Sequence, residues 1–189
     1  AVLLKRALSS EGIGVTSDNL EVDFVIYSNS DLAMALENDA VDAICLVDPA
    51  ATVAVNQYGY NILLDTAKDE PYAAEYCCAT FVTGDFARNY PEEAAKFTRA
   101  VMKASAWVEE HPDEAAQLLI EKEYLSGNPE VFANILRSYN CKPSVQGGYD
   151  STVSNVDEFK RIGLLSEDID TDAFVKKAFI FLDGVEETY

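Results

Sequence analysis

Basic residues are scarce in this chain: 14 Lys and Arg stand against 33 Asp and Glu, giving a net charge of −19 over 189 residues. Phosphate backbones and anionic membrane surfaces are held by clustered Lys and Arg, so neither nucleic acid nor an anionic bilayer is expected as a partner. The excess acid reads as a strongly solvated surface. No apolar run reaches the roughly 18–20 residues a spanning helix needs, so no transmembrane segment is expected. Histidine occurs once, as His111, and the four cysteines Cys45, Cys77, Cys78 and Cys141 form no paired CxxC motif. Zinc and a disulfide framework are therefore not expected, and no cofactor or metal is assigned. GxSxG, the phosphate-binding glycine loop and GxGxxG are also missing.

What is present is ordinary globular material, 49% hydrophobic and 25% charged. The chain opens on Ala1-Val2-Leu3-Leu4-Lys5-Arg6-Ala7-Leu8, which reads as an amphipathic helix over about 2–11, stopped at Gly12. No capping residue or signal-peptide pattern precedes it, so the chain is expected to start inside an element, as a fragment would. Leu20–Tyr27, Val41–Val47, Asn61–Asp65 and Tyr76–Thr83 carry strand patterns, with Cys45 a small buried hydrophobe in the second. Helices are expected after Ser28-Asn29-Ser30-Asp31, over Leu32–Asn38, and after Asp48-Pro49. Strands separated by helices imply βαβ units and a mostly parallel sheet, with a polar crossover at Thr66–Glu75.

Beyond the fourth strand the pattern turns helical. Asn89-Tyr90-Pro91, His111-Pro112 and Asn128-Pro129 each put Pro at a helix start with acids in the first turn, where the helix dipole favours them. Phe97, Val101, Ala104 and Val108 recur at helical spacing. Trp107 reads as core, and His111 as a surface cap rather than a general base. Gly147-Gly148-Tyr149 reads as a loop, with closing helices at about 151–162 and 171–182.

Several segments together resemble the solute-binding proteins of nitrate, sulfonate, taurine and thiamine-precursor ABC importers, the NMT1/THI5-like group. The resemblance rests on Ser30–Ala43, on Val47-Asp48-Pro49-Ala50, on Tyr76-Cys77-Cys78 with Phe81–Phe86, and on Asn89–Glu92 through Trp107–Ala116. Ile162–Leu165 and Asp170–Phe179 also fit. It implies an α/β, type II periplasmic-binding-protein-like fold of two lobes, here incomplete, with the N-terminal strands of the first lobe absent. On that reading residues 1–74 form most of the second lobe, and 75–189 the returning strand and C-terminal helices of the first. Val47 and Ala50 stand where the group often has aromatics, which takes aromatic surface from the expected cleft.

The resemblance implies a substrate-binding component, extracytoplasmic and not an enzyme, that hands a small solute to ABC permease subunits. The solute would be a sulfonate, nitrate or a pyrimidine-like thiamine precursor. The turns Ser28-Asn29-Ser30 and Asp48-Pro49 would offer helix N-termini at strand ends, where such folds bind ligands. Asp48 either caps its own helix or receives an N–H of the solute. Tyr76, Cys77 and Cys78 would lie at the cleft floor; adjacent residues on a strand face opposite ways, so at most one thiol would meet the ligand. Tyr139 and Tyr149 are further candidates. Two alternatives share the fold: an enzyme like the thiamine-pyrimidine synthases, whose longer cysteine run and histidines are missing here, and a solute-sensing domain of a signalling protein. An open sheet edge is expected to favour a dimer or strand exchange.

Overall fold

The computed structural model describes residues 2–189 and divides the chain into two compact units. Unit 1 comprises Ala1–Leu63 and Val153–Phe174; unit 2 comprises Leu64–Thr152 and Val175–Tyr189.

Unit 1 starts with helix α1 (Val2–Ser10), which ends as the chain turns left-handed at Gly12, φ 81°. A two-residue turn at Ser17-Asp18 joins β1 (Val15–Thr16) to β2 (Asn19–Leu20), antiparallel with Val15 opposite Leu20. Gly14 is required beside this hairpin, because a Cβ there would fall 2.5 Å from the Asn19 carbonyl oxygen. Helices α2 (Asn29–Glu37) and α3 (Ala50–Tyr58) follow and pack on each other. The 153–161 stretch of a later helix clamps α1. Buried Arg6 reaches Glu158 Oε2 at 3.3 Å and Asn155 Oδ1 at 3.2 Å, while Arg161 donates to Ser9 Oγ and to the Arg6 carbonyl. Val15, Val156 and Ile162 are buried in this unit.

Unit 2 is helical: α4 (Gly84–Asn89), α5 (Pro91–Glu110), α6 (Pro112–Glu121) and α7 (Pro129–Ser138), preceded by a 3-10 turn at Tyr72–Ala74. Local chemistry starts these helices. Thr83 Oγ1 accepts from the Phe86 N–H and Asn128 Oδ1 from the Glu130 N–H, and Pro opens α5, α6 and α7. The core lies between α6 and α7, where Ala116, Phe132, Ala133 and Ile135 interlock and Ile120, Leu125, Val131 and Leu136 close the edges. Arg137 of α7 pairs with Asp113 of α6 at the surface. Helices α8 (Val145–Arg161) and α9 (Thr171–Ala178) complete the chain. Tyr149, Phe179 and Phe181 form an aromatic cluster with ring centroids 5.2–5.5 Å apart.

Three expectations fail here. Among the described residues β1–β2 is the only ladder, so the strands expected at Leu20–Tyr27, Val41–Val47, Asn61–Asp65 and Tyr76–Thr83 do not form, apart from Leu20 in β2. Among the described residues no backbone–backbone hydrogen bond joins residues 22–27, 41–46 or 77–82 to any neighbour. A strand exists through its partners, and these apolar stretches meet none; Ile26 is 95% exposed and Phe81 90%. Among the described residues the parallel sheet is thus not formed, and the secondary structure is mostly helical. Second, Gly147-Gly148 lies inside α8 rather than in a loop. Ser144 Oγ accepts from the Gly147 N–H at 2.8 Å, and Glu187 accepts from the Gln146 N–H, so two side chains cap this helix start. The helix expected from the spacing of Phe97, Val101, Ala104 and Val108 is α5, whose buried residues are Ala94, Ala95 and Met102, while Phe97, Val101 and Ala104 are exposed. Third, Trp107 is not core: its exposed ring stacks on His111 at 5.2 Å.

Candidate functional site

Ser28, Asn29 and Ser30 build the start of α2 in unit 1. Ser28 is extended, φ −67° and ψ 153°, and its carbonyl accepts from the Asp31 and Leu32 N–H groups. Its hydroxyl does not cap a backbone N–H. It stands 2.7 Å from Ser30 Oγ and donates to Asp31 Oδ2 at 2.6 Å. Among the described residues the N–H groups of Asn29 and Ser30 have no protein acceptor, and all three residues are exposed. Two free donors and two hydroxyls at a positive helix end suit an anion, although Asp31 already places one carboxylate there.

Asp48 and Pro49 build the start of α3, also in unit 1. Asp48 Oδ1 accepts from Thr52 N–H at 2.9 Å and from Thr52 Oγ1 at 2.7 Å. Of the two roles open to Asp48, capping its own helix is the one seen. The helix end is fixed by Gly59, left-handed at φ 71°, and beyond it Tyr60 stacks on Tyr58 at 5.2 Å. The Tyr60 hydroxyl donates to the Ala33 carbonyl at 2.8 Å, tying the end of α3 to α2. Partial desolvation, with Glu37 nearby, holds the Tyr60 hydroxyl above the usual tyrosine range. Sequence reading overlooked this aromatic pair; its signal was Tyr-Gly-Tyr, a helix stop flanked by two rings.

Tyr76, Cys77 and Cys78 lie in unit 2. Tyr76 is pinned at both ends: its N–H donates to buried Ser151 Oγ at 2.8 Å, and its hydroxyl donates to the Lys142 carbonyl at 2.9 Å. The two cysteines are exposed, and their Sγ atoms are 3.3 Å apart. The expectation that a pleat sends them to opposite faces does not hold, because this stretch is not in a ladder. Desolvation pushes the Cys77 thiol up, Cys78 adds to the shift, and Cys141 contributes weakly. Cys141 is raised by desolvation with Glu109 beside it, whose carboxylate accepts from the Cys141 N–H at 2.7 Å.

The structure therefore gathers the predicted residues into three groups, two at helix starts of unit 1 and one in unit 2. Two shallow surface hollows contain none of them: one is lined by Ile120 and Tyr124 to Gly127, the other by Trp107, Leu118 and acids of α6. Tyr139 and Tyr149 line neither; Tyr149 is held in the aromatic cluster. Among the described residues no group of three or more His, Cys, Asp or Glu is arranged to hold a metal ion. No helix among them is long and apolar enough to cross a membrane.

No solved structure matches the chain. A Bacillus subtilis (strain 168) protein named for binding aliphatic sulfonates is 28% identical over 118 residues, which is 62% of this chain and 34% of that protein. The chain thus matches about a third of that relative's length. The sequence model of the NMT1-like family covers residues 1–121, a stretch that includes Ser28–Ser30, Asp48-Pro49 and Tyr76–Cys78 but not Tyr139 or Tyr149, and the chain belongs to that family.

Proposed function

We propose that this chain is the substrate-binding component of an ABC importer, capturing a small anionic solute without chemically changing it. The observation that carries the reading is the family membership over residues 1–121, joined to a relative named for aliphatic sulfonate binding. A sulfonate is the first solute to test. In this reading the chain belongs to a two-lobed type II periplasmic-binding fold, with residues 1–74 and 75–189 contributing to different lobes. Lobe closure buries the solute and hands it to permease subunits outside the cytoplasm.

The chemistry at the start of α2 supports an anion. The N–H groups of Asn29 and Ser30 are free to donate, the Ser28 and Ser30 hydroxyls stand beside them, and the helix dipole adds positive potential. Asp48 and Pro49 shape the neighbouring α3 start, and Tyr76, Cys77 and Cys78 complete the proposed residue set. Asp48, engaged by Thr52, acts here by holding that turn rather than by meeting the anion.

A thermal-shift panel of aliphatic sulfonates, nitrate and a pyrimidine thiamine precursor tests the reading. A ligand that binds only the folded state at 100 times its Kd stabilises by about 2.7 kcal/mol. Dose-dependent stabilisation by sulfonates supports the assignment. Stabilisation by nitrate or the pyrimidine alone changes the solute class, and no response to any of them overturns it.

A further inference from the structure

Beyond any contact with a solute, Cys77 and Cys78 carry thiol chemistry of their own. Their sulfurs lie within van der Waals reach at 3.3 Å, and both residues are open to solvent. Among the described residues no backbone–backbone hydrogen bond involves residues 77–82, so the backbone around the pair can adjust without breaking a ladder. We propose that Cys77 and Cys78 form a single dithiol site that closes reversibly to a vicinal disulfide by exchange with a small-molecule disulfide.

The exchange balances in two steps. One cysteine, as thiolate, attacks a sulfur of the small disulfide; that S–S bond breaks, a mixed disulfide forms and one small thiolate leaves. The second cysteine loses its proton to solvent and attacks the protein sulfur of the mixed disulfide. The second small thiolate departs and is protonated. Two protein thiols are oxidised and one small disulfide is reduced to two thiols. Closure needs the sulfurs to move from 3.3 Å to the ~2.05 Å of an S–S bond.

Consecutive Cα atoms are about 3.8 Å apart across a trans peptide, shorter than the roughly 4.4–6.8 Å of ordinary disulfides. The ring is therefore strained, and strained exposed disulfides are the readily reduced ones. Cys141 is the competing partner in the same unit. The inference is independent of which solute the protein carries.

Tryptic cleavage separates the possibilities, since the peptide Asp69–Arg88 contains Cys77 and Cys78, no other cysteine and no internal Lys or Arg. After treatment of the folded chain with oxidised glutathione, this peptide should be two hydrogens lighter, resistant to alkylation, and restored by mild thiol. Phenylarsine oxide, which condenses with two thiols and releases one water, should give one adduct per chain. That adduct should be lost in Cys77→Ser and in Cys78→Ser and kept in Cys141→Ser. Persistent glutathione adducts on this peptide, a cross-link to the Cys141 peptide, or an arsenical adduct surviving either Cys77→Ser or Cys78→Ser would overturn the proposal.

Discussion

The ring of Tyr76 occupies the space a side chain at Gly147 would need: a Cβ there would lie 2.4 Å from Tyr76 Cε2 and 3.0 Å from Ser144 Oγ. A glycine inside α8 ordinarily costs helix stability, so Gly147→Ala on a free helix would gain about 0.5–1 kcal/mol. Here the clash dominates. Tyr76 is pinned through Ser151 and Lys142, so its ring has little room to yield. Gly147→Ala is expected to destabilise by about 2 kcal/mol, a melting shift of roughly 4–8 °C, measured by calorimetry. Gly148→Ala, whose Cβ meets only Phe179 at 3.8 Å, should be neutral or stabilising.

Phe132 is 6% exposed between α6 and α7 and packs with Ala116, Ala133 and Ile135. Phe132→Ala leaves a cavity in the described core of unit 2 and should cost about 3–4 kcal/mol in denaturant unfolding. An equilibrium loss below about 1 kcal/mol would mean that α6 and α7 do not pack as described.

Glu158 links pH to the stability of unit 1. A hydrogen bond from Arg161, at 2.5 Å, is the main cause that holds its carboxyl below the usual range, with Arg6 adding to it. A depressed folded value contributes stability above the unfolded value, near 4.5, and loses it as pH falls through the folded value. Glu158→Gln should therefore lower the urea midpoint at pH 7, and the gap from wild type should narrow as pH drops below about 4. A gap that widens in acid would contradict the pairing.

Asn128 and Ser28 both precede helices but differ in what their side chains do. Asn128 Oδ1 takes a backbone N–H at the start of α7, so Asn128→Ala should cost about 1 kcal/mol. The Ser28 hydroxyl is bonded to Ser30 and Asp31 instead, so Ser28→Ala should change stability by less than about 0.5 kcal/mol. Thermal unfolding of the two variants side by side checks the contrast.

The same local-versus-distant division explains what the sequence disclosed. Helices α5, α6 and α7 were readable from Pro at the start and acids in the first turn, because those signals act within four residues. Ladders join residues far apart, so the apolar runs at Phe24–Tyr27 and Ala43–Val47 carried a strand pattern without showing whether a neighbour pairs with them. The Gly-Gly pair at the α8 start reads as a loop because half of its cap is distant: Ser144 caps it locally, but Glu187, about forty residues along the chain, supplies the carboxylate that meets the Gln146 N–H at 2.9 Å. Short α4 was missed although Thr83 signals it. Of the site, the turn at Ser28–Ser30 was visible as polar residues before a helix. The meeting of the Cys77 and Cys78 sulfurs was not, since a strand pattern sends neighbours apart.

Calorimetric titration of an aliphatic sulfonate into the chain and into a Ser28→Ala/Ser30→Ala double variant tests solute capture at the α2 start most directly. The account predicts saturable one-to-one binding that weakens at least tenfold, about 1.4 kcal/mol, in the variant while its unfolding curve stays in place. Absence of binding heat with the parent chain, or affinity unchanged in the variant, would contradict it.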